Sequence, residues 1–202
     1  AHLHPWVNPP FEEAVSNANS YPGNLPPALE RAKLARLTEA IEDAFGHRPT
    51  VYKAGRYGAG FATTATLEAL GYEVDTSVLP QTDLTPGEGA DFSRCGARPY
   101  WFGGGRRLLE IPMTVGFAGR LRGLGRTLYD TLASPAGTRL HLPGVFARTG
   151  LIERITLTPE GISHAEHRRL TDTLLAAGHR VFSFTYHSPS LAPGNTPYVR
   201  ND

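Results

Sequence analysis

The sequence predicts an α/β fold with a parallel sheet or barrel, and two observations predict it. Segments of strand character alternate with segments of helical period along the 202 residues, the order that builds parallel sheets. The polar clusters that could carry chemistry fall at or near the ends of those strands, where such folds form their sites.

The elements follow in order. A helix is predicted over 26–45: Pro26 and Pro27 suit its first turn, Leu34, Leu37, Ile41 and Phe45 make an apolar stripe, and Gly46 stops it. Thr50 to Ala54 is a short strand leading into Gly55-Arg56-Tyr57-Gly58. Residues 61–70 read as a second helix, with Leu67 and Leu70 inward and Gly71 as its cap. Tyr72 to Val78 is a strand. Residues 80–107 are rich in Pro and Gly and predict a long irregular stretch, which in a compact domain is usually functional or mobile. Leu108 to Val115 is a strand, 119–133 a short helix, and Ile152 to Leu157 a further strand. Ser163 followed by Glu166 reads as a capping box, opening a helix that carries Leu170, Leu174 and Leu175 and closes at Gly178. Arg180 to Tyr186 is the final strand, and it runs into His187.

Composition narrows the class. Hydrophobic residues at 40% against 19% charged make a globular chain, of a length that suits one domain, 1–202. A net charge of +1, with both signs mixed along the chain, argues against a nucleic-acid partner. The single cysteine, Cys95, supports no internal disulfide framework. No apolar run approaches the roughly 20 residues of a membrane span, and no signal-peptide pattern is present. The compartment stays open between cytoplasm and cell envelope.

Four constellations are candidates. His2-x-His4, on an extended segment, puts both imidazoles on one face, where they could reach one ion such as zinc; the bland alternative is two ordinary histidines. Arg56-Tyr57 sits between Gly55 and Gly58 in a tight loop, as a carboxylate-orienting Arg or a surface turn. Asp75-Thr76-Ser77 follows a buried strand, and its carboxylate needs a partner there; Arg56, one βα unit earlier, is the natural one, and a turn-capping Asp is the alternative. His187 opens a loop, either as a proton-transfer residue or as a hydrogen-bonded structural one. Weaker signals are Tyr100-Trp101-Phe102, as a sugar platform or as packing, and Glu110, a polar residue inside an apolar strand. His164 and His167, at i and i+3 on a helix, read as solvent-facing.

The segments AHLHPWVNPPF, YKAGRYGAGFATTATLEALGYEVDTSV, LLEIPMTV and LTPEGIS…VFSFTYHSPSLAPGNTPYVRND together resemble the NodB-homology polysaccharide deacetylases of carbohydrate esterase family four, most nearly the WalW-like subgroup. The resemblance implies a distorted (β/α) barrel and a metal-dependent hydrolase that removes N-acetyl groups from a polysaccharide or sugar conjugate. It implies a divalent metal, usually zinc, with His2 and His4 among its ligands. It places Arg56 with Tyr57 at the motif that orients the base, Asp75 at the motif that pairs with that Arg, and His187 at the general acid. Two departures stand out. The family spacing is His-x-x-x-His, whereas here it is His2-x-His4 with Asn8 at position 8. The family's opening Asp-Asp pair, which supplies the base and a metal ligand, would precede residue 1, so the expectation is a chain that starts after it, with a barrel incomplete at its N-terminus. The alternatives are a non-catalytic carbohydrate-binding or regulatory module, an amidase of a small non-glycan molecule, and a glycosidase using Asp75 and Glu110.

Overall fold

The computed structural model describes residues 1–105, 107–197 and 199. Tyr198, Arg200, Asn201 and Asp202, part of the text that carries the resemblance, lie outside them, as does Arg106 in the long irregular stretch. The chain divides into two compact units, Ala1–Pro112 and Met113–Asp202.

The first unit is built on five strands: β1 (His2–Leu3), β2 (Val51–Ala54), β3 (Val74–Asp75), β4 (Tyr100–Phe102) and β5 (Leu108–Glu110). Their order in the sheet is β1-β2-β3-β5-β4. All pairings are parallel except β4 with β5. The register sets Tyr52, Asp75 and Glu110 side by side, and Leu3 beside Ala54. Alternation along each strand therefore puts these five on one face. Leu3, Tyr52, Ala54 and Leu108 from the strands pack with Leu34 of α1 (Pro27–Phe45) and Leu67 of α2 (Thr63–Ala69). The fold is thus α/β with a mostly parallel sheet.

Helix α1 has its predicted extent to within one residue, and Leu34 of the predicted stripe is buried with Leu37 packed against the core, but polar residues share the buried face. Its buried residues are Leu29, Glu30, Lys33, Leu34 and Thr38, while Phe45 of the predicted stripe is exposed. Lys33 and Thr38 are fully partnered, and Glu30 is partnered through one of its two carboxyl oxygens. Thr63 Oγ1 donates to Glu30 Oε1 at 2.5 Å, Lys33 reaches backbone carbonyls, and Thr38 donates to the Leu34 carbonyl and meets the Tyr72 hydroxyl, both at 2.7 Å. Gly46 ends the helix in the left-handed region at φ 75°, where glycine has no Cβ penalty.

The second unit pairs β6 (Val115–Ala118) antiparallel with β7 (Glu153–Thr156). Between them run α3 (Gly125–Leu132), α4 (Pro135–Arg139) and α5 (Leu142–Arg148). Helix α6 (His164–Ala176) follows, and its Leu170 and Leu174 pack with Ala118, Ile155 and Leu157.

Two expectations need correcting. The run predicted as one strand from 108 to 115 splits into β5 and the start of β6, with Pro112, which has no N–H for a ladder, between them. The run 180–186 forms no strand. Its Ser183 N–H goes to the Thr114 side-chain oxygen at 2.7 Å, and its Thr185 N–H goes to the Leu157 carbonyl at 3.3 Å, so no regular ladder forms. Among the described residues the strands fall into two sheets. No helix among the described residues is long and apolar enough to cross a membrane.

Candidate functional site

The histidines His2 and His4 flank buried Leu3 on β1, so both side chains leave the sheet on the face opposite the core. Their Nε2 atoms converge to 2.7 Å, with ring centroids 4.6 Å apart. Two features fix His4. Its backbone N–H donates to Asn8 Oδ1 at 3.1 Å. Its ring lies against Gly55, where a Cβ would stand 2.6 Å from His4 Nδ1. The close approach of ring to backbone is therefore possible only because residue 55 is glycine.

Arg56 and Tyr57 follow directly, and both adopt the left-handed region, at φ 56° and 58°. Two consecutive non-glycine residues there store strain, of about 1–3 kcal/mol each. Arg56 donates to Asn17 Oδ1 at 2.8 Å and to Ser20 Oγ, and its guanidinium stacks on Tyr21 at 4.4 Å. It is not paired with Asp75, contrary to the sequence expectation, because its side chain turns toward the segment 17–21. Tyr57 lies under the ammonium of Lys53, 4.5 Å from ring centroid to Nζ. Lys53 also donates to the Thr76 carbonyl at 3.0 Å. Burial pulls the Lys53 ammonium down to about 8, against the pull of Asp75 and Glu110. Lys53 was missed in the sequence; the signal was its place beside Ala54 and Gly55 at the end of β2.

Asp75 takes a different partner. Its carboxyl is buried beside that of Glu110, in hydrogen-bonding contact across the β3–β5 register. Ser77 donates to Asp75 Oδ1 from its N–H at 3.0 Å and from its hydroxyl, and Val78 N–H donates to Glu110 Oε1 at 3.0 Å. Burial raises both carboxyls above the ordinary range, and the neighbouring Asp75 charge raises Glu110 further. Two buried carboxyls in contact share a proton rather than both ionise. They border a cavity of about 310 Å³ with Thr63, Phe92, Tyr100 and Phe102. Inverting and retaining glycosidases hold their carboxyls about 5–9.5 Å apart, so this contact pair does not suit the glycosidase alternative.

His187 stands in the second unit, directly after the run 180–186. Its Nδ1 lies 2.9 Å from both oxygens of Glu160, and its backbone N–H donates to Glu160 Oε1 at 2.8 Å. Ser190 Oγ donates to the same oxygen at 2.7 Å. Burial pushes Glu160 up, but the hydrogen bonds from His187 and Ser190 outweigh it and hold the carboxyl below its ordinary value. Glu160 is 11% exposed while the imidazole is 68% exposed, so the carboxylate anchors a ring that faces outward. Glu160 was missed in the sequence, although it lies in the quoted LTPEGIS. His167, read as solvent-facing, is half-buried with Nε2 at 2.6 Å from the Thr158 carbonyl.

The structure therefore brings His2 to His4, Lys53 to Tyr57, and Asp75 to Glu110, and it holds Arg56 apart from Asp75. Two imidazole nitrogens suit zinc or a similar borderline ion by donor type, but at 2.7 Å they are hydrogen-bonded to each other, closer than the roughly 3.3 Å that separates two nitrogen ligands of a tetrahedral zinc. They are two donors of the three or four such an ion takes from protein, and among the described residues no group of three or more His, Cys, Asp or Glu is placed to hold one.

No family model matches the chain, and no curated protein matches it. A search of solved structures finds a Mycobacterium smegmatis protein assigned as a polysaccharide deacetylase. It is 24% identical, with a TM-score of 0.33, over 43% of this chain and 26% of that one. The overlap takes up about a quarter of that protein's length, and a likeness at that score carries no argument about fold or activity.

Proposed function

We propose that this chain is a metal-dependent deacetylase of N-acetylated glycans, with the distorted (β/α) barrel of the NodB-homology, WalW-like group that its sequence resembles. The observation that carries the reading is the convergence of His2 and His4 Nε2 to 2.7 Å at a strand end, beside a turn held in strained conformation. Strain of this kind gathers at functional sites.

The residues take these roles. His2 and His4 hold a divalent ion, zinc by donor chemistry. When bound, the ion supplies Lewis-acid polarisation of the acetyl carbonyl and lowers the pKa of a bound water. The backbone N–H of Tyr57 stabilises the developing oxyanion. His187, oriented through Nδ1 by Glu160, gives a proton from Nε2 to the departing sugar amine as the C–N bond breaks. Arg56 and Asp75 hold the positions that the resemblance assigns to orientation of the base. The Arg56 side chain bonds Asn17 and Ser20 instead of Asp75, so the pairing that the resemblance implies is not made. The base itself belongs, by the resemblance, to an Asp-Asp pair, and no two adjacent Asp residues occur in this sequence.

A second reading is a carbohydrate-binding module without turnover. It is favoured by the two-donor set, which lacks a third ligand among the described residues.

Metal content and acetate release from an N-acetylglucosamine oligomer separate the two. The deacetylase reading expects bound metal lost in His4→Ala, and acetate release lost in both His4→Ala and His187→Ala. Glycan binding with neither metal nor acetate would leave the binding module standing.

A further inference from the structure

The segment after His4 has little apolar anchorage of its own. Trp6 is 47% exposed, Val7 71%, Phe11 66% and Val15 83%. Pro5 is its one buried residue near the histidines. Hydrophobic burial therefore does not explain why the chain from 5 to 13 keeps one path. The explanation lies in α1, where Lys33 is fully buried.

The Lys33 ammonium meets four oxygens of that segment. It donates to the carbonyls of Pro5 at 3.2 Å, Asn8 at 2.8 Å and Pro10 at 2.5 Å, and it pairs with Glu13 Oε1 at 2.9 Å. The Phe11 ring lies 5.2 Å away on a further side. The segment is thus wrapped around one charge. Three donors are shared among four acceptors, and the Glu13 carboxylate balances a charge that would otherwise be costly to bury. Two of these contacts lead straight to His4. Pro5 is its neighbour in the chain, and Asn8 is the residue whose side chain accepts the His4 N–H.

We infer that Lys33 is the positioning residue of the His2-x-His4 pair: by gathering the carbonyls of residues 5, 8 and 10 it sets the backbone that turns the two imidazoles together. The inference rests on the reading of those histidines as a ligand pair. Lys33 itself touches neither ring; it acts through Asn8 and Pro5. A positively charged residue thereby sits near a cation site without facing it, because its charge is already spent on carbonyls and Glu13.

The test uses Lys33→Met, which keeps the length of the stem and removes every donor, and Glu13→Gln, which weakens the cradle and leaves the ammonium in place. Both are made in the whole chain and checked for fold by far-UV circular dichroism. The readouts are the NOE between the His2 and His4 ring protons, assigned with His2→Gln and His4→Gln, and the affinity for zinc alone. The expected result is loss of the NOE in Lys33→Met and a zinc affinity weaker by about ten- to a hundred-fold, the size found when the support of a metal ligand is removed. Glu13→Gln shows a smaller change of the same sign. It carries the test if Lys33→Met fails to fold. An unchanged NOE and unchanged zinc affinity in folded variants would overturn the inference. If the unaltered chain binds no zinc, the ligand reading falls, while the NOE comparison still decides whether Lys33 positions the rings.

Discussion

At the scale of single residues, the polar groups buried in the first unit make its stability depend on pH in a direction that can be worked out. The folded state raises the carboxyl pKa of Asp75 and Glu110 by burial, and that of Glu30 to about 7 by burial and the Asp75 charge, against the Thr63 hydrogen bond. A group whose folded value is raised favours folding fully below its unfolded value, and loses that contribution as pH rises through the folded value. Stability of this unit should therefore fall from about pH 4.5, the ordinary Glu value, through about 7 for Glu30 to about 9 for Glu110. Lys53 works the other way: its folded value is lowered to about 8, so it adds stability only as pH rises beyond that. Glu110→Gln keeps a donor for Asp75 and removes one titrating group. Thermal unfolding of the variant should show a flatter slope over the same window, and a slope equal to that of the unaltered chain would refute the shared-proton pair. Gly55 gives a second expectation at this scale. Gly55→Ala drives a methyl into the His4 ring and should displace it, abolishing the His2–His4 NOE; a retained NOE would show that the close approach is dispensable.

At the scale of elements, helix ends were the most legible feature. Ser163 and Glu166 were read as a capping box, and both reciprocal bonds are formed: Ser163 N–H donates to Glu166 Oε2 at 2.6 Å, and Glu166 N–H to Ser163 Oγ at 3.3 Å. Ser163→Ala should cost about 1 kcal/mol, seen as a lowered unfolding midpoint of the second unit, and no loss would mean the cap is redundant. Capping signals are local, and so sequence carries them. The buried face of α1 is different. The stripe through Leu34, Leu37, Ile41 and Phe45 has the right period, but Glu30, Lys33 and Thr38 are buried because distant residues supply their partners. The same holds at the site. His2-x-His4 was legible because i and i+2 share a face of a strand. The pairing of Asp75 with Glu110 instead of Arg56 was not: β2 and β5 both lie beside β3, and it is the turn of the Arg56 side chain toward Asn17 and Ser20, distant in sequence, that leaves Glu110 as the partner. The run 180–186 failed for a related reason. Its alternation promised a strand, but the Thr114 hydroxyl takes an N–H that a ladder would have used.

At the scale of the whole molecule, two sheets and separate apolar clusters set the expectation for cooperativity. One cluster joins Leu3, Leu34, Tyr52 and Leu67, all before Pro112; another joins Ala118, Ile155, Leu170 and Leu174, all after it. A fully buried leucine lost from one cluster leaves its cavity there, at a cost of about 2–5 kcal/mol. Leu170→Ala should therefore lower amide hydrogen-exchange protection in β6, β7 and α6, while β2, β3 and α1 keep theirs, as contiguous units open separately. Leu34→Ala should give the opposite pattern. A uniform loss of protection in either variant would mean that all 202 residues open as one cooperative body. The distinction bears on the proposed roles, because His2, His4 and Tyr57 belong to the first unit and His187 with Glu160 to the second. If the units open independently, Leu170→Ala should weaken the proton donor and leave zinc binding at His2 and His4 unchanged. Acetate release and zinc affinity would then separate in a single variant. If the chain opens as one body, both should fall together.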